Sequence, residues 1–377
     1  MLQLLTVLFF GYQILDFIIF TIVDILKYKI SFKHYTQRLS FFNQIKHSDY
    51  LLYGVSCGEV LSLKPIADYL NLKNKSYTIC SQTFSSFKMI KFSNNKILLP
   101  FDNFITMFNL FRIVRPKVVF ISERDIRIFF ILWAKLFGCK IYFINYQREY
   151  NFMDKIHYLI ANKILLRKGN SHNKYNLLGD LKWLSAIDYN NPKFKQTTII
   201  IASANKEEID IHINLIKNIN NCKIIYVPRY LNWENELRIK LSNINYNWIT
   251  TDISSIENHH INVIWSYGLL NQLYSKSHIC IMGNTFYNLK KGGHNLVEPA
   301  INSNAIILGP DYVTCKDLAD KLCIVYTKDE KDIIRKTKVL ISLKTYFNLG
   351  NQNKNIVLEN QKNIYSNIKK FIKCIII

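Results

Sequence analysis

Glycine and proline are scarce, 12 and 7 residues in a chain of 377, which leaves little material for long irregular linkers and argues against low-complexity segments. Cysteine offers no framework either. The eight cysteines, at positions 57, 80, 139, 222, 280, 315, 323 and 374, stand far apart with no C-x-x-C pair and sit mostly in apolar stretches, so reduced core residues are expected. The nine histidines show no H-x-x-x-H or H-E-x-x-H spacing, although His259 and His260 are adjacent, and neither a metal nor another cofactor is expected. Acidic residues are the minority, 27 against 49 lysines and arginines, giving a formal charge of +22. No RNA- or DNA-binding motif accompanies that excess, and the lysines are scattered among Ile, Asn, Tyr and Phe, the mixture that A/T-rich codons produce. No nucleic-acid partner is expected; the charge suits an anionic membrane surface, an anionic lipid or a nucleotide.

What is abundant is apolar: 49% hydrophobic and 14% aromatic residues. A chain of this length suits two domains of roughly 150 to 180 residues, each able to bury its own core. Leu2 to Ile25 is a nearly continuous apolar run, broken by Gln3, Gly11, Gln13, Asp16 and Asp24, and long enough to cross a bilayer as a helix. With no basic stretch before it and no small-x-small site after it, a retained anchor over residues 1–28 is expected rather than a cleaved signal. Asp16 is costly in mid-bilayer. The segment therefore either pairs Asp16 with another polar group or lies in the interface as an amphipathic helix. The basic stretch Lys27-Tyr28-Lys29-Ile30-Ser31-Phe32-Lys33-His34 leaves the rest of the chain on the cytoplasmic side.

Beyond the anchor, short runs rich in β-branched and aromatic residues alternate with amphipathic stretches, the pattern of parallel sheets wrapped by helices. Strands are predicted at Tyr50–Val55, Ser76–Ser81, Lys96–Leu99, Val118–Ser122 and Lys140–Asn145, then at Thr197–Ala202, Cys222–Val227, His278–Met282 and Ala305–Leu308. The turn formers Asp188-Tyr189-Asn190-Asn191-Pro192 divide the chain into domains 29–187 and 188–377. The stretch from Asn351 reads as a helix packing back across the junction. The fold class is α/β: two Rossmann-like domains facing a cleft, the default place for ligands.

Two segments carry chemistry. In Val55-Ser56-Cys57-Gly58-Glu59-Val60 an apolar strand ends in a small-residue turn and a helix begins with a carboxylate. A helix start favours the ionised form that a general base needs; on the residues alone an ordinary first-turn glutamate is the favoured reading. In Lys290-Lys291-Gly292-Gly293-His294-Asn295-Leu296-Val297-Glu298-Pro299-Ala300 a glycine pair leads into a helix, where backbone N–H groups hold a phosphate and Glu298 accepts ribose hydroxyls, or where a Gly-rich turn is simply capped. Asn205-x-x-Glu208, in Ala202-Ser203-Ala204-Asn205-Lys206-Glu207-Glu208, has capping-box spacing. Arg229 offers a planar fork to a phosphate or carboxylate.

The Gly-Gly-His-Asn-x-x-Glu-Pro-Ala run at 292–300 resembles the signature of the Kdo (3-deoxy-D-manno-octulosonic acid) transferases, which usually have Pro where Leu296 stands. Ser56-Cys57-Gly58-Glu59 is similar to that family's Ser-x-Gly-Glu turn. In order along the chain, Arg115-Pro116-Lys117, Gly179-Asp180-Leu181-Lys182, Val227-Pro228-Arg229 and Gly283-Asn284-Thr285-Phe286 also match family segments. The resemblance implies the GT-B glycosyltransferase architecture and an inverting, metal-independent transfer of Kdo from CMP-Kdo to an acylated glucosamine disaccharide, the lipid A precursor lipid IVA, in lipopolysaccharide core biosynthesis at the cytoplasmic face of the inner membrane. It implies Glu59 as catalytic base; Ser56, Gly58 and Glu123 on the acceptor side; and Ser203, Arg229, Gly283, Asn284, Thr285, Gly293, His294, Asn295 and Glu298 on the donor side. The chain departs from the family where Glu123-Arg124-Asp125-Ile126-Arg127-Ile128 replaces Glu-x-Glu-Leu-Trp-Pro, and where Asn145-Tyr146-Gln147 replaces Asn-Ala-Arg without its arginine, Arg148 being adjacent. Trp265 and Leu269 also stand where the family has Asp and Glu. A UDP-sugar transferase of the same architecture and a non-catalytic homologue are the alternatives.

Overall fold

The computed structural model describes residues 11–375 apart from 13, 20, 28–30, 43–44, 252, 254–255, 257–259 and 288–294. The chain forms two compact units, one running to Leu184 and resuming at Asn363, the other Ser185–Lys362. Sequence alone assigns 363–377 to the second domain. The helix Tyr346–Lys373 instead gives its last residues to the first unit, where Phe371 meets Tyr142 at 5.5 Å between ring centroids. Ile364 closes over Gly179 so tightly that a Cβ there would fall 2.6 Å from its Cγ1.

Each unit is built on a seven-stranded sheet. In the first, β1 (Tyr50–Gly54), β2 (Tyr77–Ser81), β3 (Lys96–Leu98), β4 (Val118–Ser122), β5 (Lys140–Tyr146), β6 (Lys163–Leu166) and β7 (Tyr175–Leu177) lie in the order 3-2-1-4-5-6-7. In the second, β8 (Thr198–Ala204), β9 (Lys223–Pro228), β10 (Asn247–Ile249), β11 (Ile261–Ile264), β12 (Ile279–Met282), β13 (Ala305–Leu308) and β14 (Ile324–Tyr326) lie in the order 10-11-9-8-12-13-14. Every strand pairing is parallel. Helices cover both faces of such sheets, so the central strands β1, β4 and β12 are buried at every residue, which is why they read as unbroken apolar runs.

All nine predicted strands are present, and β4 and β13 match residue for residue. The sequence gives no sign of β6, β7, β10, β11 and β14, which are three or four residues long. β3, β12 and β13 are as short and are predicted all the same, so shortness alone does not hide a strand.

The described part of the N-terminal segment is fastened to the first unit by its acids. Asp16 pairs with Arg127 at 2.7 Å and accepts the Asp102 N–H at 2.8 Å, so it has the polar partner that the sequence called for. Tyr12 donates to the Asp102 carboxylate at 2.6 Å. Asp24 pairs with Arg38 at 2.7 Å, both side chains 1% exposed, and the same guanidinium donates to the carbonyls of Leu99 and Gln82. Ile14, Leu15, Ile18, Ile19, Ile22 and Leu26 remain exposed. Residues 1–10 of the expected anchor lie outside the described residues, and among the described residues no helix is long and apolar enough to cross a membrane.

Removing one partner of a buried ion pair leaves the other charge uncompensated. Asp24→Ala is therefore expected to cost about 3–5 kcal/mol, whereas Asp68→Ala, which breaks the half-exposed Lys64–Asp68 pair, should cost at most about 1 kcal/mol. Denaturant unfolding curves of the two variants check the contrast.

Candidate functional site

In both sheets the strand order reverses beside the first strand, between β1 and β4 in the first unit and between β8 and β12 in the second. At such a switch point the following loops leave in opposite directions, and ligands gather beyond the carboxyl ends of the strands.

At the first switch point, β1 ends in Gly54, whose missing Cβ lets the helix Cys57–Ser62 start close above it; a Cβ would lie 3.0 Å from the Val60 nitrogen. Ser56 caps that helix. Its Oγ accepts the Glu59 N–H at 3.3 Å, and Glu59 returns the bond, Oε2 accepting the Val55 N–H at 3.0 Å and Oε1 the Ser56 N–H at 3.4 Å, a complete capping box. Burial pushes the Glu59 carboxyl above the usual carboxylate range against the pull of those N–H groups, and the charge of Glu123 adds to the rise. Gly58 on the same turn is exposed, and an added Cβ would meet nothing within 4 Å. The fold itself does not demand glycine there.

Glu123 follows β4 with a left-handed backbone, φ 61°, and its N–H donates to the Ile144 carbonyl at 2.8 Å. Sequence reasoning named Arg124, Asp125, Arg127, Asn145 and Arg148 only as departures from family segments. Tyr53 on β1 donates to Asp125 and also bonds the Gln82 side chain. Asn145 at the end of β5 accepts the Leu181 N–H at 3.1 Å. Four guanidiniums lie on the loops after β4, β5 and β6, and three have carboxylate partners: Arg124 with Glu149 and Asp154, Arg127 with Asp16 and Asp125, Arg167 with Glu123 and Asp180. Arg148 makes no ion pair among the described residues; it stacks 4.5 Å from the rings of both Tyr150 and Tyr175.

At the second switch point, β8 bulges between Ala202 and Ala204, with Ser203 left-handed at φ 55°. Gly283, after β12, lies against the bulge: a Cβ there would come within 2.7 Å of the Ser203 carbonyl oxygen. Asn284 is left-handed at φ 60° and bonded to the Asn205 side-chain amide. Thr285 is fully buried, its hydroxyl donating to the Met282 carbonyl at 2.7 Å and accepting the Gly309 N–H at 2.8 Å. Direct contact of Asn284 and Thr285 with a ligand was expected; these side chains and N–H groups are instead turned inward. Sequence reasoning read Glu208 only as half of a capping box; it also accepts the N–H groups of Asn284, Thr285 and Phe286.

Arg229 follows β9, its N–H donating to the Ala204 carbonyl. Beside it a cavity of about 170 Å³ is lined by Asn205, Lys206, Glu207, Tyr230, Asn232 and Trp233, and the buried Trp233 indole N–H has no hydrogen-bond partner among the described residues. Asn295 and Glu298 form a pair, Nδ2 donating to Oε1 at 3.1 Å, and burial raises the Glu298 carboxyl above its ordinary value against that bond. Gly293 and His294 lie outside the described residues. Among the described residues no three His, Cys, Asp or Glu side chains converge as a metal would require.

Residues 33–153, which include the Ser56–Glu59 turn and Glu123, match the family model described as 3-Deoxy-D-manno-octulosonic-acid transferase (kdotransferase). The chain is 24% identical to the 3-deoxy-D-manno-octulosonic acid transferase of Rickettsia prowazekii, covering 89% of this chain and 82% of the relative. It is 26% identical to that of Aquifex aeolicus, covering 65% and 72%. With the transferase of Chlamydophila psittaci it shares 25% identity over 60% of its own length and spans 59% of the relative. Among solved structures, a glycosyltransferase from Rickettsia africae superposes with TM-score 0.61 at 12% identity, covering 88% of this chain and 98% of that one. MurG of Acinetobacter baumannii gives 0.56 at 12%, covering 86% and 99%. The two parallel-sheet α/β units match these GT-B neighbours in fold.

Thr285→Val keeps the shape of the side chain and removes both hydroxyl bonds, leaving the buried Gly309 N–H without an acceptor. It is expected to destabilise the second unit by about 1–3 kcal/mol, read as a lowered thermal midpoint.

Proposed function

Because the chain belongs to the Kdo transferase family, we propose that it transfers Kdo from CMP-Kdo, with inversion, to a glucosamine hydroxyl of an acylated disaccharide lipid such as lipid IVA, in lipopolysaccharide biosynthesis. The observation that carries this is Glu59, a half-buried carboxylate aligned by a complete capping box at the β1/β4 switch point, inside the segment that matches the family. Glu59 removes the hydroxyl proton; the oxygen bonds to the anomeric carbon of Kdo; the bond from that carbon to the CMP phosphate oxygen breaks, and its electron pair leaves with CMP. Gly58 leaves room for the acceptor sugar, which Ser56 and Glu123 orient. In the second unit Glu298 holds the ribose, while Arg229 and His294 stabilise the charge that builds on the phosphate, the contribution that usually dominates catalysis. Ser203, Gly293 and Asn295 complete the donor side.

We further infer attachment to the cytoplasmic face of the inner membrane through an interfacial segment rather than a spanning helix. Asp16 and Asp24 tie the segment's polar side to the protein, and its exposed isoleucines are matched by exposed Ile105 on the helix Phe104–Val114 and by Ile128, Leu132 and Leu136 on the helix Ile128–Leu136. An apolar face of this kind settles into the headgroup boundary.

Incubation with CMP-Kdo and a tetraacylated lipid A precursor should add Kdo mass to the lipid, and Glu59→Gln should lose about 10²–10⁴-fold in rate. A base must be ionised, so the acid limb of kcat/KM should fall as pH drops through a value above the ordinary carboxylate range, the direction burial imposes on Glu59. No product from protein that still binds CMP would point to another acceptor. Ile18→Glu combined with Ile105→Glu should release the protein from anionic liposomes in flotation; unchanged flotation would rule out the interfacial face.

A further inference from the structure

We infer that Glu208 is the positioning residue of the donor side, a buried carboxylate that sets the turn after β12 in place for a sugar nucleotide; this rests on the reading that the second unit holds the donor. Glu208 is 0% exposed and is hydrogen-bonded through both oxygens. Oε1 accepts the N–H groups of Thr285 and Phe286 at 2.8 and 2.9 Å; Oε2 accepts those of Asn284 at 2.5 Å and Asn205 at 3.4 Å. Three consecutive amides of one turn thus converge on a single carboxylate borne at the start of the helix Ile209–Asn218.

The turn is gripped from its other side as well. The Thr285 carbonyl accepts the Asp311 N–H at 2.8 Å, and a Cβ on Gly309 would collide with that carbonyl. Its backbone amides therefore face the protein rather than a ligand, and the turn is held from both sides. Only an acceptor-only group can satisfy four N–H donors. A glutamine of the same size brings an NH₂ that faces two of them, so one pair loses its acceptor. The capping box alone would need only the bond to Asn205; the bonds to 284–286 exceed what capping requires.

The test is Glu208→Gln, with Glu208→Asp as the variant that keeps the carboxylate at shorter reach. If Glu208 positions the donor turn, Glu208→Gln raises KM for CMP-Kdo about tenfold or more while kcat and the acceptor KM stay within about threefold, the pattern of lost binding common to ground and transition states; Glu208→Asp recovers part of the loss. Hydrogen exchange supplies a reading independent of activity: amides 284–286 exchange about tenfold faster in Glu208→Gln, while β12 itself stays protected. Unchanged protection of 284–286 overturns the inference, as does a donor KM within twofold of the parent. So does loss of protection throughout the unit with donor and acceptor constants rising together, which would make Glu208 merely structural. If the parent protein transfers no Kdo, the transferase reading falls, and the exchange experiment still decides whether Glu208 holds the turn.

Discussion

A parallel strand cannot hairpin to its neighbour. Every connection must cross the sheet, and this constraint organises both units. Once the first strand sits in the middle, with the second strand on one side and the strand across the switch point, β4 or β12, on the other, the loops leaving the carboxyl ends of the two must diverge. Val55–Glu59 and Glu123–Arg127 are thereby brought to one edge although more than sixty residues separate Glu59 from Glu123 in the sequence, and Ser203–Glu208 meets Gly283–Phe286 in the same manner. Helices packed on both faces bury the central strands completely, leaving their ends as the places where polar side chains collect.

The sequence discloses what is local and hides what is not. Asn205-x-x-Glu208 is read as a capping box because its partners lie three residues apart, and Glu59 is read as a first-turn carboxylate on the same local grounds. The further acceptor role of Glu208 is invisible because its other donors lie 76 to 78 residues away. Asp16 reads as a defect in an apolar run, and its partner Arg127 is 111 residues distant. A motif match likewise says that Asn284 and Thr285 stand near a site, not which way their groups face; burial turns them inward. Strands of five residues or more were legible as continuous apolar runs; of the three- and four-residue ones β3, β12 and β13 were legible, and β6, β7, β10, β11 and β14 were not.

The N-terminal segment shows how one composition serves two solvents. A carboxylate in hydrocarbon is costly, yet Asp24 sits 1% exposed without that cost because Arg38 and the surrounding carbonyls satisfy the pair. The exposed residues on the same segment are nearly all aliphatic. Charge inside an apolar stretch is therefore a record of which side faces protein.

Glu123 and Ser203 hold left-handed backbones at the ends of β4 and β8, conformations that cost a residue with a Cβ roughly 1–3 kcal/mol. Asn145 and Asn284 do the same at β5 and β12, where asparagine tolerates it better. A library screened for heat resistance alone would be drawn toward glycine at 123 and 203, since that exchange relieves the strain. It would return tougher proteins stripped of side chains at the two strand ends where the proposed site residues lie, so a thermostabilisation campaign on this chain has to hold those positions fixed and look elsewhere.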